Sequence, residues 1–126
     1  MHLTAFMAAD QPAPRQPEAV QFEPKKIAAL LRTSTKEIAL TVGLDKDALQ
    51  RRTRIQSEET QRRLRELAAV LNKVEPRFGS ALMAYAWYRS KPLSGFDGRT
   101  AMELVQEGKA QYVLDYIDAV DAGVYA

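Results

Sequence analysis

The sequence predicts an all-α protein, an N-terminal helix-turn-helix bundle followed by a small helical C-terminal module, and three observations carry that prediction. From Phe22 onward no stretch alternates apolar and polar residues over five or more positions between turn signals, so no half-buried strand is expected. Helix start signals recur: Ser34 with Glu37 and Thr100 with Glu103 have capping-box spacing, and Ser57 precedes Glu58 and Glu59. Apolar residues also return at helical intervals, most regularly Leu64, Leu67, Ala68 and Leu71.

Taken in order, residues 1–20 hold Pro12, Pro14 and Pro17 and no sustained periodicity, and read as a flexible N-terminal tail. Its apolar start lacks the basic region and the apolar length of a signal peptide, so export is not expected and a cytoplasmic location is. Pro24 suits the first position of a helix containing Ile27, Ala28, Leu30 and Leu31. Ser34 opens a short helix through Ile38, Ala39 and Val42, which Gly43 stops. A third helix is expected from Asp45 to about Thr53, and a longer one after Ser57. Pro76 is expected to begin the next, whose positions 81–88 are apolar on every side and suit a central spine. The loop KPLSGFDGR follows, then a helix from Thr100 to Gly108 and a last one over Ala110–Ala122 that Gly123 ends. In that last helix Val113, Leu114, Ile117 and Val120 face inward and Asp115, Asp118 and Asp121 face water. The expected organisation is a tail (1–20), a helix-turn-helix and dimerisation region (21–74) and a rear domain (75–126).

Composition narrows the chemistry. In 126 residues, 46% are hydrophobic and 27% charged, an ordinary globular balance. With no cysteine, thiolate catalysis, disulfides and Cys-ligated metal are excluded, and because the single histidine, His2, sits at the extreme N-terminus, neither a His-based triad nor a multi-His metal site is expected. No catalytic, cofactor-binding or metal-binding set is expected, and an enzyme is disfavoured. The longest apolar run, Ala81–Tyr88, has eight residues, against the ~20 that a membrane-spanning helix needs. Residues 1–74 carry 13 Lys/Arg against 9 Asp/Glu, whereas residues 75–126 carry 5 against 7. A basic front and an acidic rear suit two surfaces with different partners.

The segment Thr35–Arg54 has the arithmetic of a DNA-binding helix-turn-helix: Ala39 where two helices touch, Gly43 four residues on, and Ile38, Val42, Leu44 and Leu49 as anchors. The second helix would expose Lys46, Asp47, Gln50 and Arg51, with Arg52 and Arg54 beyond, side chains suited to base edges and phosphates. The same pattern also fits an αα-hairpin kept soluble by arginines. Arg51 and Arg52 are adjacent and cannot both face one groove. Operator DNA is thus a candidate partner, read by a dimer spanning two half-sites.

The run WYRSKPLSGFDGRTAMELVQEGKAQYVLDYIDAVDAGVYA, residues 87–126, resembles the toxin-binding domain of the Xre/MbcA/ParS antitoxin family. The elements that carry the resemblance are Trp87, Pro92-Leu93, the loop Gly95-Phe96-Asp97-Gly98, Thr100, Glu103-Leu104-Val105, Gly108, the Val113–Ile117 helix, and Gly123-Val124. It departs at Ala101, where many relatives have proline; alanine is equally competent to begin a helix. The resemblance implies an antitoxin of a type II toxin–antitoxin pair, the partner of a RES-domain toxin that consumes NAD or transfers ADP-ribose. In the family the C-terminal region covers the toxin's active site, the front half dimerises and the shared promoter is often repressed. Phe96, Arg99, Asp115, Asp118, Asp121, Gly123, Val124, Tyr125 and Ala126 are the expected toxin contacts. An acidic helix and a short terminal stub with its carboxylate would suit a cationic nucleotide cleft, with Tyr125 an aromatic anchor or a frayed end. Trp87, Tyr85 and Tyr88 read as core, and Phe96 suits a plug or a contact. The alternative is a stand-alone helix-turn-helix regulator whose rear module only dimerises.

Overall fold

The longest helix shows best how the sequence builds the rest. Ser57 accepts a hydrogen bond from the Thr60 amide (3.2 Å), and Glu58 and Glu59 sit in the electropositive first turn. From there α5 runs Glu58–Phe78. Its buried side includes Leu64, Leu67, Ala68 and Leu71, the stripe that the sequence periodicity marks, together with Val70 and Val74. A computed structural model describes residues 3–9 and 20–123, and among them every regular element is a helix.

Pro76 does not begin a helix; it lies inside α5, which ends at Gly79. Within the final turn, proline gives up one backbone hydrogen bond and its fixed φ still suits a helix. The break falls where the left-handed Gly79 (φ 79°) donates to the Glu75 carbonyl and Ser80 then caps the next helix.

In front of α5 stand α1 (Thr4–Met7), α2 (Pro24–Leu30), α3 (Thr35–Thr41) and the single turn α4 (Arg52–Ile55). Behind it follow α6 (Ala81–Ser90), α7 (Ala101–Gln106) and α8 (Ala110–Asp121). α5 packs on α1, α4, α6 and α8, so it, rather than α6, is the spine. On α6 only Ala84, Tyr85 and Tyr88 are buried; Met83 is 56% exposed and Ala86 is exposed, so the run apolar on all sides is not central.

The expectation of a loose tail fails for residues 3–9. Leu3 and Met7, four apart on one helical turn, are fully buried, and Asn72 of α5 clasps that turn. Its Oδ1 accepts from the Leu3 amide (2.5 Å) and its Nδ2 donates to Thr4 Oγ1 (2.9 Å). Ala8 pairs antiparallel with Phe22, and the buried Gln61 amide serves both the N–H and C=O of Phe22. One turn is too short to show a period, and tertiary burial fixes it. Residues 10–19 lie outside the described residues.

The boundary expected at residue 74 falls within α5. One continuous apolar cluster runs from Leu3 to Ile117 and joins the front and rear elements. At their seam Tyr88 donates its phenol to the Thr41 carbonyl (2.6 Å), and Gln106 Nε2 donates to the Leu40 carbonyl (2.8 Å). Arg63 of α5 donates to the Val105 carbonyl at the end of α7 (2.9 Å). Side chains thus serve the last carbonyls of α3 and α7, which a helix end leaves without partners.

Candidate partner-binding surfaces

The two surfaces the sequence singles out differ in how fully the structure realises them. In the front half, Asp45–Gln50 forms successive turns in place of the expected helix, with Ala48 N–H donating to the Asp45 carbonyl and Gln50 N–H to that of Asp47. Asp45 Oδ1 accepts from the Asp47 amide (3.4 Å), a local bond that competes with helix. Arg51 is extended (φ −119°, ψ 132°), and only Arg52–Ile55 turns helically. The continuous recognition helix over Asp45–Thr53 is therefore replaced by turns.

Lys46, Asp47, Gln50, Arg51, Arg52 and Arg54 are all exposed, and Asp47, Gln50, Arg51 and Arg54 line one open cavity together with Asp45. Gln50 donates to Thr35 Oγ1 (3.1 Å), and Arg54 lies 3.9 Å from the Asp45 carboxylate. Of the expected anchors, Ile38, Val42 and Leu49 are buried and Leu44 is partly so.

The rear surface begins at the loop between α6 and α7. Pro92 bridges Thr100, Leu93 donates to the Arg99 carbonyl (2.9 Å) and buries its side chain, and Gly95, Asp97 and Gly98 take left-handed conformations. Phe96 is raised at its tip, partly buried and edge-on to Tyr116 of α8 at 5.9 Å. The loop closes into α7 through a complete capping box: Glu103 N–H donates to Thr100 Oγ1 (3.1 Å) and Thr100 N–H to Glu103 Oε1 (3.0 Å).

Arg99 is engaged rather than free. Its Nε donates to Glu107 Oε2 (2.7 Å), and Lys109 lies 3.3 Å from the other oxygen. The guanidinium, and less strongly the ammonium, hold the Glu107 carboxyl below its ordinary pKa, and Glu107 raises that of Arg99.

Asp115, Asp118 and Asp121 are all exposed on α8; steps of three residues turn by about 60° short of a full circle, so the three spread over about 120° of the helix. Asp118 meets Lys73 of α5 (2.6 Å) and Asp121 meets Arg77 (2.6 Å), which leaves Asp115 accepting from the Gln111 amide (2.9 Å). Lys73 and Arg77 are the residues that sequence reasoning missed; their spacing of four on α5 was the available signal. Val113 and Ile117 are buried and Leu114 and Val120 partly so. Gly123 is exposed and left-handed (φ 86°), as suits a helix stop. Val124, Tyr125 and Ala126 lie outside the described residues.

The tyrosines expected in the core are there. Tyr85 and Tyr88 stack at 6.1 Å with Arg89 4.6 Å above the Tyr85 ring, and burial pushes both phenols above their ordinary pKa. Trp87 is only partly buried, against Phe78. No helix among the described residues is long and apolar enough to cross a membrane.

Residues 73–123, from the last turns of α5 to Gly123, match the family model for the antitoxin Xre/MbcA/ParS C-terminal toxin-binding domain. That match supports an antitoxin role for the chain, with a toxin as its partner. No curated protein and no solved structure matches it.

Proposed function

We propose that this chain is the antitoxin of a type II pair and neutralises a RES-domain toxin, one that consumes NAD or transfers ADP-ribose, by covering its active site. The observation that carries the reading is the match of the α6–loop–α7–α8 unit to a toxin-binding domain. Phe96 and Arg99 on the loop, Asp115, Asp118 and Asp121 on α8, and the segment 123–126 make the proposed contact set. In this reading the protein acts in the cytoplasm, binds without catalysing a reaction, and dimerises through its front half.

Co-expression with the neighbouring reading frame tests it. Growth stopped by a RES-domain toxin should resume when this chain is supplied, and continued arrest with soluble antitoxin present defeats the reading. Removal of residues 123–126 then tests the proposed occlusion: full inhibition of NAD consumption by the shortened chain takes that segment out of the mechanism.

Autorepression is the second part of the proposal. Lys46, Arg51 and Arg52 are exposed cations available to phosphate, and the front half has a positive balance. A gel shift on the native promoter should weaken steeply with salt; retention that salt does not change, or no shift, removes this part.

A further inference from the structure

α8 presents two unlike sides to solvent. Toward α5, Asp118 and Asp121 are matched by Lys73 and Arg77. Away from these pairs Tyr112 stands 57% exposed, among the largest apolar exposures in the described residues. Tyr116, one turn on, shares its direction and meets Phe96 edge-on. The result is an aromatic strip, Phe96–Tyr116–Tyr112, half buried at the loop and bare at its far end. Asp115 is exposed beside it, and among the described residues no lysine or arginine pairs with its carboxylate.

We infer that this strip is where the toxin docks, with Tyr112 as the anchoring side chain and Asp115 as the charge that orients it. The inference rests on the antitoxin reading above. The occupant is a folded toxin surface with an apolar pocket rimmed by arginine or lysine. A tyrosine brings a large contact area with only two torsions to fix, and such side chains dominate interface energetics. The loop's internal hydrogen bonds and the Phe96–Tyr116 contact hold most of the strip in place beforehand, so binding orders little. Charge favours a toxin over a second copy of this chain: the strip of a second copy carries the same exposed Asp115 and offers no cation of its own, whereas a basic rim supplies that carboxylate with one.

Calorimetric titration of the full chain with the purified RES-domain protein encoded beside it tests the assignment. Tyr112→Ala should weaken binding about tenfold or more, Tyr112→Phe should keep most of the affinity, and Lys25→Gln on α2 should leave it unchanged. Because Tyr112 is exposed, its thermal melt should match wild type, so lost affinity is not lost fold. Wild-type binding with undiminished affinity in Tyr112→Ala overturns the strip and leaves the antitoxin reading standing. Absence of wild-type binding overturns both. Loss of self-association, rather than of toxin binding, in Tyr112→Ala makes the strip a contact between copies and also overturns it.

Discussion

A Cβ on Gly43 would lie 3.0 Å from the Cα of Gln106 and 3.1 Å from its carbonyl oxygen. The turn after α3 is therefore pressed against the backbone end of α7, and Gly43 serves the seam as well as the chain reversal. Its φ of +81° adds a second reason for glycine. Gly79 has the same conformation (φ +79°) but open space around its Cβ position. Gly79→Ala should cost about 1–2 kcal/mol, the left-handed penalty alone, and Gly43→Ala clearly more. Chemical denaturation of the two variants checks the difference; equal losses would mean that the seam yields without strain.

The same seam makes the stability pH-dependent. Tyr88 is buried, and its phenol, donating to the Thr41 carbonyl, is pushed well above its ordinary pKa by burial. A raised folded pKa means that the contribution is complete below the unfolded value of about 10 and is lost as pH rises beyond it. Unfolding free energy should thus be level in this respect at neutral pH and fall in alkali. Tyr88→Phe should lower stability by about 1–3 kcal/mol at neutral pH, because the Thr41 carbonyl loses its partner. It should also flatten the alkaline slope by about 1.4 kcal/mol per pH unit, one proton's worth, with Tyr85 supplying what remains. Urea melts from pH 7 into alkali measure both, and an unchanged slope would count against Tyr88 as the titrating group.

The N-terminal arm should behave as part of the core. Met7 is fully buried, so Met7→Ala should cost about 2–5 kcal/mol. Asn72→Ala should also destabilise, through loss of its bonds to Leu3 and Thr4. Hydrogen exchange at the Ala9 and Glu23 amides, which donate to Gln21 and Met7, should quicken in both variants. Wild-type protection with Met7 truncated would mean that the arm rests on the surface without holding anything.

What the sequence could and could not convey follows from how local each signal is. Helix caps are local, so Ser34, Ser57 and Thr100 could be read directly, and all three caps are formed. The stripe on α5 is equally local. The turns at Asp45–Gln50 were not legible, because a spacing of small and apolar residues fits a helix-turn-helix and other paired-helix arrangements alike. Leu3 and Met7 make too short a pattern to register, and their burial depends on Asn72, far along the chain. For the candidate surface, the loop glycines and aspartates were visible, but the partners that define their electrostatics were not. Lys73 and Arg77 meet α8 only after folding, and Tyr112 is distinguished from Val113 by packing rather than by composition.

Those cations lead to the last prediction. Lys73–Asp118 and Arg77–Asp121 are close pairs on the surface, with the aspartates well exposed. Water and side-chain entropy offset most of the attraction in such pairs, so Asp118→Asn and Asp121→Asn should each shift stability by no more than about 1 kcal/mol. Their electrostatic effect should be larger than their structural one. Each substitution uncovers a cation on α5 and makes that side of α8 more positive, which should slow association with a cationic nucleotide cleft, most visibly at low salt. Stopped-flow association with the RES-domain protein at two ionic strengths measures this. The expected pattern is a reduced on-rate that converges with wild type as salt rises, while the melting temperature stays nearly fixed. Association rates that match wild type at low salt would show that the α5-facing carboxylates are matched locally and exert no field on the partner.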